Sequence, residues 1–442
     1  MAPLHAIVTD HAVTMDPKHP VLSPAYIAWQ GPGLTEVRRA HPADRQRPGI
    51  RTIPGIALPG FVNTHHHVAS AILTGIEDDH LPPVAGQRTP SRTRLARAFG
   101  RDISHAAAAL GHLELARSGV TTTTDSQAAW HSDRRVDGSL MAARDGGLRV
   151  HFSVAFLDRT ALIPPEEQHT PASARAELER LRSAYASERV EVEGEPLSLP
   201  RASDELIRAL HEQRRRLMAM HLTYSRGFER WADEHLGRRA VEHLAHLGVL
   251  DGGWLFAHPL HLDDREVERL ADAGGAVTYC PVSNLHMGLA SPDLWRLRRA
   301  GIPIALGLDH PNGSHDVLHN AKLATIVQRS VAEDPDAWSA TDALRAITVD
   351  GAAALGLAAV TGVLKAGMAA DVTVLEGLTV PVASESAIAE RIVMTGSREH
   401  VRHVVAGGRW LVAAGCPITV DADDIRTAAL AAQRRLVAAG AG

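Results

Sequence analysis

Histidine both binds transition metals and titrates near neutrality, and this chain carries 26 of them. The densest run closes the segment Gly60-Phe61-Val62-Asn63-Thr64-His65-His66-His67. On a strand, successive side chains take opposite faces, so His65 and His67 point together while His66 turns away. Two imidazoles at that spacing are half of a tetrahedral metal site. His-x-His alone is equally compatible with a polar strand end. Three further residues decide between the readings. His221 follows the apolar run Leu217–Met220, His258 follows Trp254–Ala257, and Asp309 follows Ile302–Leu308. Imidazole nitrogen with carboxylate oxygen suits Zn²⁺ or Fe²⁺ and not calcium.

These residues need elements that end at one place. From Ile56 to about Gly356, apolar runs of strand length alternate with helical patterns. Such runs predict a parallel sheet covered on both faces. Helix signals separate them. Asp263-Asp264-Arg265-Glu266 reads as a capping box with Gly274 as the left-handed stop. Ser291-Pro292 reads as a cap followed by a proline in the first turn, and Gly301 as the end of that helix. Asp102–Ser118 and Ser203–Arg216 read as helices in the same way. So many strand–helix units predict a closed (β/α)8 barrel, a TIM-like α/β fold whose sites lie at the C-terminal strand ends. Short strands flank it at both ends of the chain. The expected division is a small β-sandwich domain from 1–55 plus 358–420, a catalytic barrel over 56–357 and a C-terminal helix over 421–442. Asp78–Thr93 and Ile163–Ala174, rich in Pro, His and polar residues, read as excursions over one barrel end.

Composition excludes several classes. Lys+Arg 46 against Asp+Glu 51 gives a net charge of −5, so no basic surface speaks for nucleic acid. Only Cys280 and Cys416 occur, too few and too far apart for a disulfide framework or a cysteine zinc site. The N-terminal residues lack a leader pattern and no apolar run approaches membrane length, so a cytoplasmic protein away from membranes is expected. Phosphate-binding glycine loops, a G-x-S-x-G elbow and a Cys-His pair are missing.

The segments PGFVNTHHH, MHLTYS, AHPLHLDD, CPVSNLHMG, GLDHPNGSHD and GVLKAGMAADVTVL stand in the order and spacing of the amidohydrolase superfamily, and the chain most resembles its cytosine deaminase and chlorotriazine hydrolase branch. The resemblance spans essentially the whole chain. It implies that His65, His67, His221 and Asp309 hold one divalent metal and its water, with zinc first and iron second. It implies that His258 orients that water or the substrate, and that Asp309 moves the proton to the leaving nitrogen. The chemistry agrees, since a metal-bound water ionises near neutral pH and a neighbouring carboxylate can act as base.

The chain departs from the pattern at the substrate-reading positions. Where the deaminases carry a proton-shuttling glutamate, three residues after the fifth-strand histidine, Tyr224 stands. Tyr279 replaces a pocket histidine ahead of Cys280-Pro281-Val282-Ser283-Asn284, and the fourth strand's usual histidine is absent near Leu197–Pro200. A phenol donates hydrogen bonds well but shuttles protons poorly at neutral pH. Lys18, Lys322 and Lys365 are the only lysines, so a lysine-bridged metal pair is excluded. Glu195 is the one side chain that could bridge instead.

The expected function is a metal-dependent hydrolase cleaving a non-peptidase-type C–N bond, amide or amidine, by metal-activated water. Its substrate is a small molecule or a short peptide-like one, and the expected assembly is a homodimer. Tyr224, Tyr279, Asn284 and His310 are the candidate substrate contacts. The alternatives are a deaminase of a heterocyclic base or triazine, a tailoring amidohydrolase of macroamidine-type natural products, and a non-catalytic barrel binding protein. Elsewhere, His66, His286 and His315 read as structural, His243 and His246 as surface residues of a helix, and Trp295 as core. Asp78, Asp79 and His80 read as a solvated loop or a substrate lid.

Overall fold

The computed structural model describes residues 3–76, 97–130, 134–159, 165–310, 315–378 and 384–441. Two parallel four-stranded sheets carry the site. The first holds β1 (Phe61–Asn63), β2 (Val120–Ala128), β3 (Arg149–Ala155) and β4 (Val190–Glu195). The second holds β5 (Met218–His221), β6 (Trp254–Ala257), β7 (Ala276–Tyr279) and β8 (Ile304–Leu306). Main-chain bonds join the two arcs at both seams. At one, the Asp309 amide donates to the His65 carbonyl at 2.8 Å and the Thr64 amide to the Leu306 carbonyl at 3.2 Å. At the other, the His221 amide donates to the Leu197 carbonyl at 2.8 Å. The expected ring of eight parallel strands is therefore present.

Period-two alternation sorts each strand's side chains. Phe152 and Val154 of β3 and Val190 and Val192 of β4 join the main core with Leu178 and Leu210. The last two come from the covering helices Pro171–Tyr185 and Asp204–Gln213. At about 25 cal/mol per Å² of apolar surface buried, this layer is what holds the strand ends in register. Most helix signals are met as read. Asp263 caps Asp264–Ala273 with a full capping box, and Gly274 closes it at φ 76°. The helix after Ser291 differs. It spans Leu294–Arg299 and its cap is Asp293, whose side chain accepts from the Arg296 amide.

The segments that flank the barrel build two more sheets. One has the order Gly33–Arg39, Ala25–Gln30, Leu4–Thr9, Ile50–Thr52. The other has seven strands and runs from Cys416–Pro417 through Val372–Leu375 and Ile56–Pro59 to Val21–Leu22. Ile7, Ile27, Trp29, Val372 and Val374 fill the space between them, so both termini contribute to one sandwich core. The run Ile56–Val62 reads as one strand in the sequence but serves both bodies. Ile56–Pro59 pairs with Val372–Leu375, and the chain enters β1 after Gly60. The last helix, Ala422–Ala441, lies on Arg101–Arg117, and Gln433 donates to the Ile72 carbonyl at 3.1 Å.

Two side chains differ from expectation. His243 is buried, with Nε2 3.0 Å from the Asp204 carboxylate, because its helix packs that face inward. Trp295 is 36% exposed and so does not belong to the core. Asp78, Asp79, His80 and the rest of the 78–93 stretch lie outside the described residues, as do 163 and 164. The remainder of that second stretch is a short turn, Pro165–Glu167, and the Thr170 cap of Pro171–Tyr185.

Candidate metal centre

Five side chains from four strand ends meet at one mouth of the ring. Ligand atoms of His65, His221, His258 and Asp309 all lie within 4.8 Å of one another. His67 adjoins them, with Nε2 3.3 Å from Asp309 Oδ1 and 3.3 Å from His221 Nε2. Asp309 Oδ1 is also 3.3 Å from His65 Nε2, and Oδ2 is 3.6 Å from His258 Nε2. His66 turns the other way, as period two requires, and its Nδ1 meets the Asp309 carbonyl at 2.5 Å. Both His258 and Asp309 sit at left-handed φ, 59° and 56°. That conformation is uncommon for residues other than glycine, and it aims the side chains off the strand ends into the cluster.

Each ring is held from behind. His67 Nδ1 faces the Ser126 carbonyl at 2.7 Å, and His221 Nδ1 faces the Leu197 carbonyl at 3.2 Å. A carbonyl only accepts, so both Nδ1 atoms carry a proton and both Nε2 atoms are turned to the cluster. The two Nε2 atoms face each other across 3.3 Å. His258 Nδ1 bonds Asn284 Oδ1 at 2.9 Å, which frees a third Nε2. Ser283 Oγ donates to Asp309 Oδ2 at 2.5 Å.

The charges agree. Burial raises Asp309, yet the imidazoles of His258, His65 and His67 outweigh it and hold the carboxyl well below its usual range. Burial lowers His67, but Asp309 beside it prevails and lifts it to about 9. Burial drives His65 down to about 3 and also lowers His221 and His258. The cluster thus keeps most of its imidazoles neutral while calling for one positive charge near Asp309. His65 Nε2 is buried with no hydrogen-bond partner among the described residues. Inward lone pairs, an orphaned nitrogen and a carboxylate form a donor set that fits a divalent ion of the zinc or iron type.

The expected substrate contacts divide. Tyr224 is on the site side, its ring centroid 6.5 Å from that of His258, and burial raises its phenol. His310 stacks obliquely near His67 at 5.6 Å. Asn284 supports His258. The Tyr279 ring lies in the main core and its hydroxyl meets Ser291 at 2.8 Å, with its ionisation pushed up to about 12 by burial. Four supports were given no role by the sequence reading, although Leu197 and Ser283 stand in segments it singled out. They are Ser126, Leu197, Ser283 and Asp125, whose Oδ1 accepts from the Val68 amide at 3.0 Å and whose carboxyl burial raises to about 7. Ser126 and Asp125 sit in no recognisable spacing.

Known proteins share this architecture. The sequence profile described as the amidohydrolase family matches residues 56–411. A 5-methylthioadenosine/S-adenosylhomocysteine deaminase of Haloarcula marismortui is 27% identical over 374 residues, 81% of each chain. A 5'-deoxyadenosine deaminase of Methanothermobacter thermautotrophicus is 29% identical over 330 residues, 72% of this chain and 73% of its own. Among solved structures, a zinc-bound adenosine deaminase from Xanthomonas campestris superposes with a TM-score of 0.86 at 22% identity, covering 98% of both chains. A zinc complex of atrazine chlorohydrolase from Arthrobacter aurescens gives 0.83 at 23% identity, covering 97% of this chain and 100% of its own. At that identity the likeness bears on the fold.

Proposed function

The chain belongs to the amidohydrolase family of metal-dependent hydrolases acting on carbon–nitrogen bonds, and from that premise we propose that it uses one divalent ion to cleave an amide or amidine C–N bond in a small-molecule or short peptide-like substrate. Zinc is the first choice and iron the second. The observation that carries the reading is the convergence of the His67 and His221 Nε2 atoms, 3.3 Å apart, beside Asp309. That arrangement calls for a positive charge between the rings, which a proton on His67 or a bound cation supplies. His65, His67, His221 and Asp309 would hold the ion, which supplies a lowered pKa for water and polarises the scissile group.

The rest is the work of this chain's own groups. Asp309, tethered by Ser283, accepts the attacking water's proton and returns it to the leaving nitrogen. His258, fixed by Asn284, orients the reacting oxygen through Nε2. Tyr224 stays protonated and donates a hydrogen bond to the substrate. A second reading, release of ammonia from a ring amidine such as an aminopurine or aminotriazine, is favoured by the names of the deaminase relatives. Without a glutamate at position 224, a protonated donor or a water must then serve the ring nitrogen. A cytoplasmic homodimer, with the small β domain at 1–55 and 358–420, the barrel at 56–357 and the helix at 421–442, completes the proposal. Among the described residues no helix is long and apolar enough to cross a membrane.

The test combines metal analysis with amine and ammonia release from a panel of amides, amidines and aminoheterocycles. We expect about one ion per chain, the count of a single closed donor set. Asp309→Asn should keep the fold and lose about 10²- to 10⁴-fold in turnover, the usual contribution of a general base. Two ions per chain, none after anaerobic purification, or full activity in Asp309→Asn would overturn the proposal. Ammonia from the aminoheterocycles alone would select the second reading.

A further inference from the structure

We propose that Glu195 is a positioning residue for the metal centre, anchored by Ser126 so that its carboxylate backs the Nδ1–H of His221. The inference rests on the reading of the histidine–aspartate cluster as a metal site. Glu195 ends β4 and is fully buried. Its Oε2 accepts from Ser126 Oγ at 2.6 Å. Its Oε1 is buried, has no hydrogen-bond partner among the described residues and lies 3.4 Å from His221 Nδ1. A buried carboxylate oxygen is costly to leave unmatched, and that Nδ1–H is the proton it faces.

Ser126 has a second task. Its carbonyl takes the Nδ1–H of His67 at 2.7 Å. One residue of β2 therefore supports both facing histidines, His67 through its main chain and His221 through its side chain and Glu195. The link crosses over β3, where the small Ala155 stands opposite Glu195 in the register and leaves room. Glu195 lies on the Nδ1 side of His221, away from the Nε2 that faces the cluster, so it serves as an outer carboxylate and does not bridge two metals. The Leu197 carbonyl, at 3.2 Å from the same nitrogen, already fixes the tautomer. What the carboxylate adds is negative charge behind the ring, which makes Nε2 a better donor to a cation; losing such a partner costs about 10- to 100-fold in metal affinity.

The experiment measures zinc affinity by competition with a chelating dye, and the visible spectrum of the Co²⁺-loaded protein, for wild type, Glu195→Gln and Ser126→Ala. Wild type binding one ion tests the metal reading; the ratio of variant to wild type tests this inference. We expect Glu195→Gln to weaken zinc by about 10- to 100-fold and to shift the cobalt bands. Ser126→Ala, which keeps the charge but frees it, should weaken zinc less and in the same direction. Unchanged affinity and spectrum in Glu195→Gln, whatever its melting temperature, would overturn the proposal. Should Glu195→Gln not fold, unchanged affinity in Ser126→Ala would overturn it equally.

Discussion

Asp309 meets three imidazoles with two oxygens, and Ser283 takes part of one of them. Any role as a base depends on which oxygen the ion leaves free, so the neighbours that tether the carboxylate matter as much as the carboxylate. Tyr224 poses the opposite case. Its ring packs against Phe228 at 5.6 Å and near His258 at 6.5 Å, and burial keeps its proton on. If it donates one hydrogen bond to the substrate in the transition state, Tyr224→Phe should lower kcat/KM by about 10- to 100-fold, on the order of 1.4 to 2.7 kcal/mol. The ring's packing is preserved, so the melting temperature should stay put. Steady-state kinetics on the best substrate of the panel decide it. Tyr224→Glu is the companion variant, and a rise in ammonia release from aminoheterocycles would show that the pocket accepts a ring once a shuttle is supplied.

Gly60 shows how an element places the site. A Cβ there would lie 2.2 to 2.7 Å from the side chain of Thr121, including its Cβ, which cannot swing away. Gly60 is also where the chain leaves the seven-stranded sheet and enters β1, five residues before His65. Gly60→Ala should therefore destabilise the protein by about 1 to 3 kcal/mol through overpacking, and loosen metal binding as β1 shifts. Urea denaturation and dye competition would read the two effects. Legibility at this level followed the range of the interaction. The capping box at Asp263 and the stop at Gly274 are local and were readable. Ser291 and Asp293 are both good caps two residues apart; the Ser291 hydroxyl meets Tyr279, and the helix that buries Leu294 and Leu297 takes Asp293. The five clustered residues were readable because each closes an apolar run. The Ser126–Glu195 bond joins residues 69 apart with no shared pattern, and the left-handed φ of His258 and Asp309 leaves no mark on composition. Those features come from the closed ring, not from any one strand.

The ring itself consists of two arcs that meet at two seams, and the candidate metal centre straddles them. His65 and His67 come from the first sheet; His221, His258 and Asp309 come from the second. An ion shared by these residues would tie one arc to the other, where among the described residues few main-chain bonds do so on their own. Binding to the folded state alone adds RT ln(1 + [M]/Kd), about 4 kcal/mol at a thousandfold excess over Kd. Stripping the ion with a chelator should therefore lower the melting temperature, and re-adding zinc should restore it. His65→Ala should melt near the stripped value and gain little from zinc. The pattern of loosening is more telling than its size. Without the ion, Asp309 is the one carboxylate set among the four imidazoles, and repulsion among them acts across the seams. Amide hydrogen exchange should then quicken at His221 and Asp309, whose amides form the seam bonds to Leu197 and His65. Phe152 and Val192, mid-strand within one arc and set in the main core, should change little. Uniform acceleration over both arcs would instead mean that the ion stabilises the molecule as a whole and does not act as the clasp between its halves.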